Sequence, residues 1–251
     1  MTFKIQTKNT SEWKLIVNFL TKLVDKATFT INDEGISLVA MDTAHVSMAD
    51  LSMPSSVFEK FETDSEQKFT ISLETFSKAL QRASSNDACI LYSNQAKSLI
   101  MSLSGSYDRE YTLALESEDI KDAPKPDIEY SADIAMKSYV FDNIINDVDA
   151  VSTNLVVQSK DGNLEFLGKD DSAGNKVIVT LDSANAGVDS MKLGESEFKV
   201  QFSLKYLSDI MSVGKETDSI WVNIAEGKPL RIGFKIGSTS TLVFYLAPRK
   251  L

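Results

Sequence analysis

Residues 69–93 read FTISLETFSKALQRASSNDACILYS, and residues 198–224 read FKVQFSLKYLSDIMSVGKETDSIWVNI. The two stretches follow one plan. In the first, Phe69, Ile71 and Leu73 alternate as on a strand. Phe76, Ala79, Leu80 and Ala83 then fall at helical spacing, and Asn86-Asp87 turns the chain into Ile90-Leu91-Tyr92. In the second, Phe198, Val200 and Phe202 alternate, Leu204, Leu207 and Met211 follow, and Thr217-Asp218 leads into Ile220-Trp221-Val222. The segments upstream match too. A helical pattern from Ser11 to Asp25 precedes Phe29 to Val39, which turns at Asp33-Glu34-Gly35. Its counterpart runs from Ser138 to Val151, then Leu155 to Leu167 with a turn at Asp161-Gly162. The offset stays at about 130 residues, far beyond the roughly 20–50 residues of a solenoid repeat. The chain is a duplicated domain, which points to pseudo-symmetry.

Each half therefore offers two helices and many short strands. On the first helix Trp13, Ile16, Val17, Leu20, Leu23 and Val24 form the apolar stripe, while Lys14, Asn18 and Lys22 occupy the far face. Thr10 or Ser11 suits the N-cap. On the second, Phe76, Leu80 and Ala83 face in and Lys78 and Arg82 face out. The third turns Phe141, Ile144, Ile145 and Val148 inward and Asn143, Asn146 and Asp149 outward. The fourth turns Leu204, Leu207 and Met211 inward and Lys205 and Asp209 outward. The strands alternate, so each sheet buries one face and wets the other. The reading is α+β: antiparallel sheets, each half covered on one face by two helices. Glu116 to Asp133 is acidic, carries Pro124 and Pro126 and has no periodicity. It reads as a linker, giving domains at 1–115 and 134–251 joined by 116–133.

Composition narrows the function classes. The chain has 251 residues, 43% hydrophobic and 25% charged, as in ordinary globular proteins. No apolar run approaches the ~20 residues of a membrane span, and Met1 to Ile5 reads as a first strand. Cys89 is the only cysteine, so an intrachain disulfide is impossible, which fits a reducing cytoplasm. His45 is the only histidine, and with Cys89 it makes no nucleophilic pair that spacing supports. Asp170-Asp171 lacks the ligand count of a hard-cation site, and Gly174-Asn175-Lys176 lacks the spacing of a phosphate loop. No enzyme activity, metal or cofactor is expected.

Formal net charge is −10. Phosphate binding needs Lys and Arg, so placement matters more than the sum. The outward set is Lys14, Lys22, Lys78, Arg82 and Lys205, on a polar side nearly free of carboxylate on the first two helices. The third helix carries Asp142, Asp147 and Asp149 instead. Two segments read as edge strands: Asp108 to Leu115 (DREYTLAL) and Lys176 to Leu181 (KVIVTL). The run Leu242 to Pro248 is strongly apolar and reads as a strand or a groove wall.

Four segments carry a resemblance. Met41-Asp42-Thr43-Ala44-His45-Val46-Ser47, Pro126-Asp127-Ile128-Glu129-Tyr130-Ser131, Phe202-Ser203-Leu204-Lys205-Tyr206-Leu207 and Tyr245-Leu246-Ala247-Pro248 stand in the order and spacing of the proliferating cell nuclear antigen family. The chain resembles this family along essentially its whole length, and the tail stopping at Leu251 looks like the archaeal branch.

The resemblance implies a ring of three identical chains around duplex DNA, with helices inside and sheets outside. It implies a processivity factor that reads no sequence. A DNA polymerase, a clamp loader, a flap nuclease and a ligase would dock through short peptide motifs. It further implies DNA contacts at Lys14, Lys22, Lys78, Arg82, Lys205 and Lys215. The partner-peptide pocket would comprise Met41, His45, Val46, Met48, Ala123, Lys125, Pro126, Tyr130, Pro229, Tyr245, Leu246, Ala247 and Pro248. Subunit joints would use Asp108, Arg109, Glu110 and Tyr111 against Lys176, Val177, Ile178 and Val179. The expected location is the cytoplasm for an archaeal-type chain and the nucleus for a eukaryotic one. The alternatives are one subunit of a heterotrimeric clamp, or an acidic peptide-binding adaptor that never encircles DNA.

Overall fold

A computed structural model describes residues 3–7, 10–84, 87–93, 98–117, 120, 123–170 and 172–250. Asn86 of the anticipated turn, Asp171 and the terminal Leu251 lie outside these. Contacts divide the chain into two units: Met1–Lys125 with Lys235–Leu242, and Pro126–Phe234 with Val243–Leu251.

In the first unit the elements are β1 (Phe3–Thr7), α1 (Ser11–Leu23), β2 (Lys26–Asn32), β3 (Gly35–Met41), β4 (Ser47–Pro54), β5 (Lys60–Thr63), β6 (Gln67–Ser72), α2 (Leu73–Gln81), β7 (Ala88–Ser93), β8 (Ser98–Ser104) and β9 (Arg109–Ala114). One sheet has the order β5-β1-β7-β8-β9, and a second ladder runs β4-β3-β2-β6. Both are antiparallel.

The second unit repeats the plan with β10 (Ala132–Lys137), α3 (Ser138–Asp149), β11 (Asn154–Lys160), β12 (Asn163–Asp170), β13 (Asn175–Leu181), β14 (Val188–Leu193), β15 (Lys199–Ser203), α4 (Leu204–Gly214) and β16 (Ser219–Ile224). Its ladders are β13-β12-β11-β15 and β14-β10-β16-β17, where β17 spans Leu230–Ile236. β18 (Ser240–Leu246) follows, and the division between the units falls within β17 and β18. The two strand–helix–strand stretches that open the sequence are thus β6-α2-β7 and β15-α4-β16.

Turn chemistry sets the registers. Asn32 Oδ1 accepts from Glu34 N at 3.1 Å and Gly35 N at 3.3 Å, closing β2 onto β3. Gly35 sits at φ 144°, and a Cβ there would strike the Met53 carbonyl. Between β11 and β12, Asp161 (φ 49°) and Gly162 (φ 77°) make the two-residue hairpin that Asp-Gly favours. Ser72 caps α2 by accepting from Thr75 N. At α1 the cap expected of Thr10 is made by main chain only, through Lys14 N to Thr10 O at 2.9 Å. Its hydroxyl is buried without a protein partner.

The helices lie in pairs, α1 beside α2 and α3 beside α4. The anticipated stripe holds for Trp13, Ile16, Val17 and Leu20, and Phe19 joins it. Leu23 and Val24 are only half-buried. An aromatic cluster fills the first unit. Phe76 meets Trp13 edge-on at 5.7 Å and Phe29 at 6.3 Å, and Phe29 stacks on Phe69 at 5.1 Å. Edge-to-face and offset contacts are the arrangements that ring quadrupoles favour. In the second unit Phe141 and Phe166 meet edge-on at 6.2 Å, and Phe202 and Phe234 are fully buried.

Phe76→Ala would remove the ring that touches both Trp13 and Phe29. The expected cost is about 3–5 kcal/mol, read as a lower urea midpoint by circular dichroism. An unchanged midpoint would contradict this account of the core.

Candidate nucleic-acid and partner interfaces

Six basic residues are expected to meet phosphate, and the structure gives them different surroundings. Lys22 is exposed in the last turn of α1. Arg82 is exposed as the C-cap of α2. Lys205 is exposed on α4, and Lys215 is its exposed C-cap. Lys78 is 72% exposed but bonds Glu74, one turn earlier on the same helix. The Lys78 ammonium draws the Glu74 carboxyl below its ordinary range. The polar side of α2 is therefore not free of carboxylate, which corrects the sequence reading. The spacing of Glu74 and Lys78 is that of a stabilising i,i+4 pair.

Lys14 is also placed differently. It is half-buried, and its Nζ donates to the Ala83 carbonyl at 2.6 Å, just past the end of α2. Lys14 stands one residue from buried Trp13, about 100° round the helix and not on its far face, and the end of the neighbouring helix captures it. On α3, Asp147 and Asp149 are exposed, and Asp142 accepts from Asn146 at 3.2 Å. That helix presents no basic residue in its last turn. The positive surface thus belongs to α1, α2 and α4.

The two expected joint strands are edges of their sheets. β9 pairs only with β8 and β13 only with β12 in the sheet orders above. On β13, Lys176 and Ile178 are exposed, Ile178 at 47%, and Val177 and Val179 are half-buried. On β9, Glu110 is exposed and Tyr111 half-buried, with Asp108 exposed just before. Glu110 accepts from the Tyr92 hydroxyl at 3.0 Å, which raises the Tyr92 phenol.

Arg109, expected at a joint, is engaged within its own chain. One Nη bonds Asp87, whose side chain is 3% exposed, and the other donates to Arg82 O at 2.8 Å. Its guanidinium also lies 4.7 Å from the centre of the Tyr107 ring. Asp87 accepts from Ser84 N at 2.9 Å and from the Ser84 hydroxyl at 2.7 Å. These bonds, and then Arg109, hold the Asp87 carboxyl below its ordinary range. Gly105 leaves the room: a Cβ there would strike Asp87 Oδ1. Cys89, close by on β7, is buried, and burial with the Asp87 charge pushes its thiol up to about 12. It is not a nucleophile at neutral pH.

The expected peptide-pocket residues fall in both units. In the first, the loop from Asp42 to Val46 is held by Asp42 Oδ1, which accepts from Val46 N at 2.7 Å and Ser47 N at 2.9 Å. The loop displays His45 at φ 56° on the surface, with Met41 and Val46 half-buried. Met48 is 3% exposed and so supports the loop rather than lining a groove. The linker does not hang free here. Glu116 N donates to Thr70 O at 2.8 Å, Glu116 pairs with Lys26 at 2.9 Å, and Ile120 N donates to Thr28 Oγ1 at 2.8 Å. Lys125 pairs with Asp50 at 2.9 Å, and Ala123 is half-buried.

Below Ile120 lies a cleft of about 490 Å³ lined by Lys22, Leu23, Val24, Ala27, Val39, Met41 and Thr43. Sequence reasoning missed it. Its signal was the pair Leu23 and Val24, which line the cleft and are half-buried for that reason.

In the second unit, Tyr245 is 9% exposed, Leu246 is fully buried, and Pro126, Pro229, Ala247 and Pro248 are half-buried. Leu246 is thus a core residue. Tyr130 is half-buried with its hydroxyl enclosed and without a protein partner. Burial, with the Tyr245 phenol nearby, pushes it up to about 12. Among the described residues no cluster of acidic, histidine and cysteine side chains could hold a metal. No described helix is long and apolar enough to cross a membrane.

Comparison with known proteins supplies the family. The proliferating cell nuclear antigen N-terminal domain matches residues 2–122, and the C-terminal domain of the same family matches residues 125–249. A protein named DNA polymerase sliding clamp from Nitrosopumilus maritimus is 34% identical over 99% of both chains. One of the same name from Cenarchaeum symbiosum is 33% identical over 99% of both. The crystal structure of PCNA from Thermococcus kodakaraensis superposes with a TM-score of 0.92 at 22% identity, covering 99% of this chain and 100% of that one. With both halves matched in order, the chain belongs to the proliferating cell nuclear antigen family.

Proposed function

We propose that this chain is a DNA sliding clamp: a ring that encircles duplex DNA and tethers a replicative polymerase. The observation that carries the reading is a pair of proline-free edge strands, β9 in the first unit and β13 in the second, in a chain whose relatives bear that name. Head-to-tail pairing of unlike edges builds a ring when the rotation per subunit closes. Three identical copies are the proposed closure. Tyr111 and Glu110 on one copy would lie against Lys176 to Val179 on the next, with Asp108 and Lys176 supplying the salt-sensitive part.

The helices are proposed to face the duplex. Lys22, Arg82, Lys205 and Lys215 supply the contacts, Lys78 a weaker one because of Glu74, and α3 none. A closed ring needs no tight contact, since topology retains it, and strong phosphate binding would slow sliding. With no element entering a groove, base sequence is not read. The clamp carries out no chemistry of its own.

Polymerase, clamp loader, flap nuclease and ligase are proposed to dock through short peptide motifs. Tyr130, Tyr245 and Pro248 are offered by the second unit and the surface around Met41 and Val46 by the first. Aromatic anchors suit such motifs. Archaeal relatives and the lone buried Cys89 support a cytoplasmic location.

The experiment is retention. Loaded by a clamp loader on nicked circular DNA, the chain is expected to co-elute with the circle at high salt and to leave within minutes of linearisation. Equal retention on both forms would overturn the encircling reading. Direct binding to a short duplex is expected to be weak and to fall steeply with salt. Lys205→Glu with Lys215→Glu would weaken it about tenfold or more at low salt while leaving the solution mass unchanged. An unchanged affinity would remove α4 from the DNA-facing set. Tyr245→Ala is expected to weaken binding of a polymerase-tail peptide by about 1–3 kcal/mol in calorimetry, and wild-type affinity would place docking elsewhere.

A further inference from the structure

Two cations meet at the end of α2, and neither is free to act as a simple surface charge. Lys14 reaches across from α1 to the Ala83 carbonyl at 2.6 Å. Arg109 reaches from the edge strand β9 to the Arg82 carbonyl at 2.8 Å. A helix C-terminus leaves its last carbonyls without intrahelical partners and carries partial negative charge, so cations there are stabilising. Arg109 cannot add to the surface field, because buried Asp87 neutralises it at the same point. Its contribution is geometric. Arg109 holds the main chain of Arg82 and Lys14 that of the next residue, Ala83, while the Arg82 side chain is exposed at the C-cap between them.

We propose that Lys14 and Arg109 are positioning residues for DNA binding: they pin the last turn of α2 and thereby fix where Arg82 meets the phosphate backbone. The inference rests on the reading that the α1–α2 face takes DNA. It differs from that reading in the role of Lys14, which acts through Arg82 rather than on phosphate. Arg109 belongs at once to this node and to the edge strand proposed to pair with the next copy. Orientation of Arg82 is therefore tied to the state of β9, and by reciprocity DNA binding favours the closed edge.

A double-mutant cycle separates the roles. Binding of a fluorescent duplex is measured from low to moderate salt with Arg82→Met, Lys14→Met and the pair, all at a protein concentration where solution mass matches the parent. Arg82→Met is expected to lower affinity severalfold and to reduce the slope of log K against log salt by about one. Lys14→Met is expected to do nearly the same, and the pair no more than Arg82→Met alone, since residues acting as one unit are not additive. Lys14→Arg, which keeps a donor for Ala83, is expected to restore binding. Losses that multiply in the pair, with a slope reduced by about two, would make Lys14 a direct contact and overturn the proposal. If Arg82→Met alone changes nothing, the DNA-facing assignment of α2 fails instead, and the proposal with it. Arg109→Met is expected to follow Lys14→Met. Should it fail to fold or assemble, the Lys14 cycle still decides.

Discussion

A strand at the edge of a sheet carries a row of main-chain N–H and C=O groups with no partner. Proteins rarely leave such a row open, because any other strand can pair with it. This chain has such a row at β9 in the first unit and at β13 in the second, and neither is blunted by proline. The β13 edge even exposes Ile178. Assembly explains why that can be tolerated. The proposed ring follows from pairing one edge with the other.

Charge is arranged to suit weak contact. The chain is strongly acidic, yet α1, α2 and α4 expose lysine and arginine. Several of these charges are tempered: Lys78 by Glu74, Lys14 by the Ala83 carbonyl, Arg109 by Asp87. Lys22, Arg82, Lys205 and Lys215 are exposed, three of them in the last turn or at the C-cap of their helices. A few separated cations attract a polyanion without gripping it, and their field is screened within about 8 Å at physiological salt. The same economy appears at the linker, where ion pairs at Lys26–Glu116 and Lys125–Asp50 fasten an otherwise irregular segment to the first unit.

Periodicity carried most of the fold. Alternation found the strands, 3.6-residue spacing found the helices, and Asp161-Gly162 marked its hairpin because few residues accept positive φ. The duplication was legible because both halves keep the same order of periods. What stayed hidden depends on partners distant in sequence. Lys14 and Ala83 are 69 positions apart and Arg109 and Asp87 22, so no local pattern announces either contact. The burial of Met48 and Leu246 was hidden for the same reason: a motif shows which residue stands at a position, not what packs over it. Glu74 is the exception. Its i,i+4 relation to Lys78 is local, and counting carboxylates on that face would have found it.

The most direct test of the account is the mass of the purified chain in solution. Light scattering at micromolar concentration is predicted to give three times the 27.7 kDa of one chain. Val179→Pro, which removes a main-chain donor and fixes the backbone of β13, is predicted to give the mass of one folded chain. A parent protein that is monomeric without any partner chain would contradict the claim that these two edges exist to meet each other.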